Sequence, residues 1–111
     1  MKEYFVDITE PALADMDDIY RYTIERFGDP ARAGKLYDTI AKEILSLERM
    51  PLRYGIPQFE PCIRLELRRM LVDKYSVFYL VDGDTVTVTD VIYSSSDLEA
   101  RLGQRHDEST G

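Results

Sequence analysis

Two β-rich runs, Tyr75 to Val81 and Thr85 to Tyr93, stand either side of Asp82-Gly83-Asp84, and this arrangement restricts the fold more than anything else in the chain. Tyr75 to Val81 is a continuous β-branched and aromatic stretch, the pattern of a strand covered on both faces or nearly so. Thr85 to Thr89 alternates polar and apolar, so its valines share one sheet face and its threonines the other. Gly83 tolerates the positive φ that a tight hairpin turn requires. Arg64 to Val72 reads as a third run, with Asp73-Lys74 as the corner before Tyr75. Three consecutive antiparallel strands make a meander with a face available for helices.

Upstream, Tyr4 to Thr9 predicts a short strand able to join that meander. Thr9 is placed as an N-cap, with Glu10 and Pro11 in the first turn, where negative charge and a missing amide proton are both favourable. Leu13, Met16, Ile19, Tyr20, Thr23, Ile24 and Phe27 then recur at three- and four-residue steps, an amphipathic helix of about five turns. Gly28-Asp29-Pro30 supplies a C-cap, an N-cap and a first helical proline in succession. The second helix runs from Pro30 to about Met50 and is stopped by Pro51; Ala33, Leu36, Tyr37, Ile40, Ile44 and Leu47 form its inner stripe. So tight a connection predicts an antiparallel hairpin packed on the sheet. Leu52 to Pro61 is a loop. Ser96 with Glu99 three residues on is a capping-box signature, predicting a short helix from Asp97 to about Leu102. The expected class is α+β: β-α-α-β-β-β, an antiparallel sheet covered on one face by an αα-hairpin, plus a short C-terminal helix. Residues 1–102 form a single domain, and 103–111 a flexible polar tail.

The 111 residues suffice for one core without staples. No apolar stretch approaches the ~20 residues that span a bilayer, and Met1-Lys2-Glu3-Tyr4 lacks a signal core, so a cytoplasmic protein without membrane contact is expected. Cys62 is the only cysteine, which excludes an internal disulfide or a cysteine metal cluster, and no metal or cofactor is expected. Twenty-one acids against fourteen bases give a net charge of −7. Nucleic-acid backbones are bound largely through Lys and Arg that replace counterions, so this balance argues against broad nucleic-acid binding and against direct sequence-specific DNA binding by this chain alone.

A strand, an αα-hairpin ending at Leu47 and Pro51, a loop with Gly55, then Arg68, Val72, Lys74, Tyr75, Val77, Tyr79 and Val81, and a close of Val91, Ile92, Tyr93 and Asp97, together resemble the RelE/ParE superfamily. These are toxins of type II toxin–antitoxin systems, of the plasmid stabilisation protein type. The likeness spans about residues 4 to 100 and lies closer to the ParE branch. It implies a small toxin neutralised by a cognate antitoxin that wraps it. It also implies one of two actions: poisoning DNA gyrase by binding, as in the ParE branch, or cutting messenger RNA on the ribosome, as in the RelE branch.

Cleaving RNA through the 2′-hydroxyl needs a base, cations for the transition-state charge and an acid for the leaving oxygen. If the chain is a ribonuclease, the candidates are Arg68 and Lys74 for phosphate and Tyr93 as acid or base. For target binding they are Arg64, Arg68, Arg69, Lys74 and Tyr93. Strand alternation places Arg64 and Arg68 on one face and Arg69 on the other. Between Tyr75 and Tyr93 there is no Lys or Arg, while Asp82, Asp84 and Asp90 add negative charge. Where many superfamily members carry an Arg-Arg-Asp close, this chain has Ser95-Ser96-Asp97. Losing two cations there removes several kcal/mol of transition-state stabilisation, at ~3–4 for one electrostatic donor. His106 falls in the tail, as a solvent-exposed bystander. The expected function is thus a ParE-like toxin that acts by binding. A ribosome-dependent endoribonuclease and a decayed toxin that retains only antitoxin binding are the alternatives. Four or more Lys and Arg gathered into one concave pocket beside Tyr93 would instead favour cleavage. The acidic chain further predicts an antitoxin segment rich in Lys and Arg.

Overall fold

The computed structural model describes residues 2–106. Strand β1 (Phe5–Ile8) leads into helices α1 (Glu10–Phe27) and α2 (Pro30–Leu45). After two single 3₁₀ turns come the one-turn helix α3 (Cys62–Leu65), strands β2 (Arg68–Val72), β3 (Tyr75–Asp82) and β4 (Thr85–Tyr93), and helix α4 (Leu98–His106). The strands lie in the order β1-β4-β3-β2. The element order and α+β class are as expected.

The sheet is mixed rather than wholly antiparallel. β2, β3 and β4 form the antiparallel meander, with Gly83 at φ +62° in the second turn. β1, however, pairs parallel to β4, with Phe5 opposite Thr85 and Ile8 opposite Val88. The helical hairpin is the reason: two antiparallel helices return the chain to the level at which it left the sheet. The last strand of the meander then runs alongside the first strand in the same sense.

One sheet face packs against α1 and α2 through Met16, Ile19, Ile40, Ile44, Val77, Tyr79, Val86 and Val88. The other face is covered as well. Phe78 and Ile92 pack there with Leu67, Cys62 and Leu102 in a second core formed by α3, α4 and the loop before β2. A bulge lets β4 serve both cores. Phe78 faces Asp90 while Tyr79 faces Val88, so Thr89 is the extra residue, and Val88 and Val91 keep the same face despite an odd spacing.

The hairpin connection follows the expected capping. Gly28 adopts the left-handed conformation and donates its N–H to Ile24 O at 2.7 Å, while Asp29 Oδ1 accepts Arg32 N–H at 3.1 Å. Thr9 caps α1 by accepting Ala12 N–H at 3.2 Å. α2 ends at Leu45, short of Met50, because the chain tightens into a 3₁₀ turn at Ser46–Glu48 and Met50 takes a left-handed conformation before Pro51.

Candidate functional site at the end of the helical hairpin

The five target-binding candidates do not form one site. Arg64 is not on a strand: it belongs to α3 and lines a shallow hollow with Glu60 and Gln104. The alternating Arg64-Leu65-Glu66-Leu67 reads as β, but Glu66 turns left-handed at φ +57° and Leu67 N–H donates to Cys62 O at 3.0 Å, closing a helical turn instead. The expected shared face of Arg64 and Arg68 therefore does not exist. Arg68 Nη1 donates to Tyr54 O at 2.6 Å and Leu52 O at 3.3 Å, which pins the loop before α3 to the sheet edge. Arg69 lies on the opposite face, where Nε donates to Ser76 Oγ at 2.9 Å and Ser76 Oγ meets Ser94 Oγ at 2.7 Å. Tyr79 is enclosed in the core, donating its hydroxyl to Pro51 O, and burial pushes its phenol up to about 12.

Lys74 and Tyr93 do meet. Both line a hollow of about 880 Å³ where the corner of the helical hairpin overhangs the end of the sheet. Tyr75 stands beside Tyr93 with ring centroids 5.7 Å apart in an edge-on arrangement. Ile19, Leu36, Val91 and Ile92 give the hollow an apolar part. Tyr22 and Phe27 contribute further aromatic surface from α1.

The hollow also holds what the meander lacks. Arg26, Arg32, Lys35 and Arg101 line it together with Lys74, against the acids Asp15, Asp18 and Asp73. Five cations thus line one concave hollow with Tyr93, the gathering that by the criterion stated above favours cleavage over binding. Four of them come from α1, α2 and α4, outside the strands, and Lys74 comes from the β2–β3 turn. Their clustering follows from the tight connection, which sets the last turn of α1 against the first of α2. There Arg32 stacks 3.7 Å from the centroid of Phe27, with Arg26 at 5.6 Å. Among the described residues none of the five is ion-paired to a carboxylate. Arrangements of this kind, concave, aromatic and cationic, hold anionic groups by charge and flat or apolar groups by stacking.

His106 is not a bystander. Helix α4 runs on through the first four residues of the expected tail, and His106 Nε2 lies 2.7 Å from Asp90 Oδ2; residues 107–111 lie outside the described residues. Arg105 bridges Asp15 and Asp90 from the same turn. These carboxylates and their partners are far apart in the sequence, and only the buried position of Asp15 on an otherwise apolar helix stripe hints at them.

In comparisons with known proteins, the model of the family described as ParE toxin of type II toxin–antitoxin system, parDE, matches residues 6–98. The chromosomal ParDE toxin–antitoxin system from P. aeruginosa contains a chain of similar fold (TM-score 0.70, 21% identity, 82% of this chain and 96% of that chain covered). A chain of the toxin–antitoxin complex RelBE2 from Mycobacterium tuberculosis is also similar (TM-score 0.63, 20% identity, 86% and 97% covered). No curated protein sequence matches.

Proposed function

Because the chain belongs to the ParE toxin family of type II toxin–antitoxin systems, we propose that it arrests growth in the cytoplasm by binding DNA gyrase, and that a cognate antitoxin keeps it silent. The observation that carries this is the family match across residues 6–98, nearly the whole described chain. Binding rather than turnover is supported by the dispersal of the meander cations. Arg68 is tied to backbone carbonyls and Arg69 to a serine pair on the other face, so neither joins Lys74 and Tyr93.

Inducing the protein without its antitoxin should stop growth and accumulate gyrase-dependent DNA cleavage complexes. Co-expression of the adjacent small reading frame should restore growth. Induction without arrest would leave only the decayed-toxin reading.

One observation favours a second reading. The five cations beside Tyr93 meet the condition set for an endoribonuclease acting on the ribosome. In that case Lys74, Arg101 and Arg32 would take phosphate, and Tyr93 would serve as acid or base. Primer extension on translating ribosomes separates the readings: A-site cuts lost in Lys74→Ala and Tyr93→Phe would replace the gyrase reading.

A further inference from the structure

Resting on the toxin reading above, we propose that the protein grips its target through the knuckle at residues 45–53, where α2 gives way to two 3₁₀ turns, and that the knuckle enters an apolar groove with an acidic rim on gyrase. The knuckle exposes side chains that a core would normally take up. Leu45, Met50 and Leu52 are 57%, 64% and 56% exposed. Tyr4 N–H donates to Glu48 O at 2.8 Å, which brings the neighbouring Phe5, 70% exposed, to the border of this surface. Met50 is held at φ +51°, a left-handed conformation that is strained for a residue with a side chain and that Gly adopts freely. Because Met50 buries so little, folding does not account for a methionine at this position.

The segment is fixed from beneath. Leu47 and Pro51 are buried, and Tyr79 donates its hydroxyl to Pro51 O. Arg53 Nη1 donates to Arg49 O at 2.6 Å and Met50 O at 3.0 Å, and Arg68 Nη1 reaches Leu52 O at 3.3 Å. Apolar side chains on so constrained a turn meet a partner without the ordering cost that a loose loop incurs. Charge indicates the kind of partner. Arg53 and Arg68 have no carboxylate among the described residues, and Arg49 pairs with Glu3 at 3.1 Å with both side chains well exposed. Three guanidinium groups thus flank the apolar cluster, with Glu48 and Glu3 as the acids beside them. A protein groove with carboxylates at its rim complements both features. A phosphate backbone offers nothing to Leu45, Met50 and Leu52, and an anionic bilayer repels the acidic body behind them. The hollow at the hairpin corner lies at the other end of α2, whose 16 residues span ~24 Å, so the two surfaces are separate.

Biolayer interferometry of the purified protein on immobilised gyrase holoenzyme tests this, with the product of the adjacent small reading frame as a second analyte. Met50→Asp/Leu52→Asp should weaken gyrase binding about tenfold or more and leave binding of the antitoxin within about twofold. Arg49→Glu should weaken gyrase binding by several-fold, and less so at high salt. Met50→Gly separates contact from folding. It keeps the left-handed turn and relieves its strain, so its urea midpoint should match or exceed that of the native protein while gyrase binding still falls. Native protein that binds gyrase as well as both Met50 variants do would overturn this proposal alone. Native protein that neither binds gyrase nor forms cleavage complexes would overturn the toxin reading and this proposal with it. An equal loss of antitoxin binding would assign the knuckle to the antitoxin instead. Vesicles of phosphatidylglycerol that bind the native protein but not Met50→Asp/Leu52→Asp would assign it to a membrane surface. A dimer in light scattering that the same change dissolves would assign it to a second copy of the chain.

Discussion

Asp15 occupies a position on α1 where the helical period calls for an apolar side chain, and what surrounds it explains why a carboxylate is tolerated. Its Oδ2 accepts Val91 N–H at 2.9 Å, just past the bulge. Arg105 clasps it from α4 with Nη1 at 2.7 Å and Nη2 at 3.0 Å, and Nη1 also reaches Asp90 Oδ1 at 3.0 Å. Hydrogen bonding to Asp15 raises the guanidinium above its ordinary range, so Arg105 is always charged. The pairing was not legible in the sequence, because Asp15 and Arg105 stand 90 positions apart and nothing in periodicity joins them. Arg105→Ala leaves the buried Asp15 carboxylate without its cation and Asp90 with His106 alone. The cost should be about 3 kcal/mol, the low end for a broken buried pair because Arg105 is partly exposed, read as a lower urea midpoint. Arg105→Lys should recover only part of this, lacking the two-pronged geometry. Asp90 adds a pH dependence. Burial pushes its carboxyl up, but hydrogen bonds from His106 and Thr89 and the charges of His106 and Arg105 outweigh it and hold the group below the ordinary value of 3.8. With the folded value below the unfolded one, this stabilisation is complete above that pH and is lost as the pH falls through the folded value. Urea midpoints measured from neutral pH downwards should therefore decline in acid, and Asp90→Asn should flatten the decline.

At the scale of elements, what local chemistry specifies was readable, and what tertiary contacts specify was not. The β3–β4 hairpin and both caps of the helix connection rest on residues adjacent in the chain and are present, whereas α2 ends at Leu45, before Pro51 can stop it. α4 was placed only approximately. The Ser96–Glu99 spacing suggested a capping box, yet Ser96 Oγ donates to Tyr93 O and the cap is Asp97, whose Oδ1 accepts Ala100 N–H at 3.2 Å. Its extension to His106 depends on Leu102 packing into the second core and on the ion pairs of its last turn, neither visible in a short polar stretch. α4 is thus the cover of a sheet face that otherwise meets solvent. Cys62 reports on that cover. Its thiol is buried against the second core, and burial, followed by the charge of Asp90, pushes it up to about 11. Leu102→Ala should cost about 2–4 kcal/mol by leaving a cavity under α4. Cys62 should then react with an aromatic disulfide reagent much faster than in the native protein, where it should resist modification until the chain unfolds. Equal labelling rates in the two proteins would mean that α4 is not what shields Cys62.

Over the whole molecule, charge separates into an acidic body and a cationic hollow, and this division explains why composition alone misread the site. A net charge of −7 describes the surface that a distant polyanion encounters; it says nothing of a groove assembled from α1, α2, α4 and the end of the sheet. Those cations lie in four separate stretches of sequence, and their convergence follows from the hairpin corner projecting past the β2–β3 turn. The two scales of charge set the expectation for a long anion. Binding of a long polyanion requires many simultaneous cation contacts, and its affinity falls steeply with salt for each one made. Only the portion of such a chain inside the hollow meets cations here, and the remainder lies against acidic surface. The protein should therefore leave a heparin column at or below about 0.15 M salt, where screening already removes the few contacts available. Lys35→Glu/Arg101→Glu should shift that elution little. Retention on heparin well above that salt, lost in the double variant, would show that the hollow commands the surface around it and would return weight to an RNA substrate.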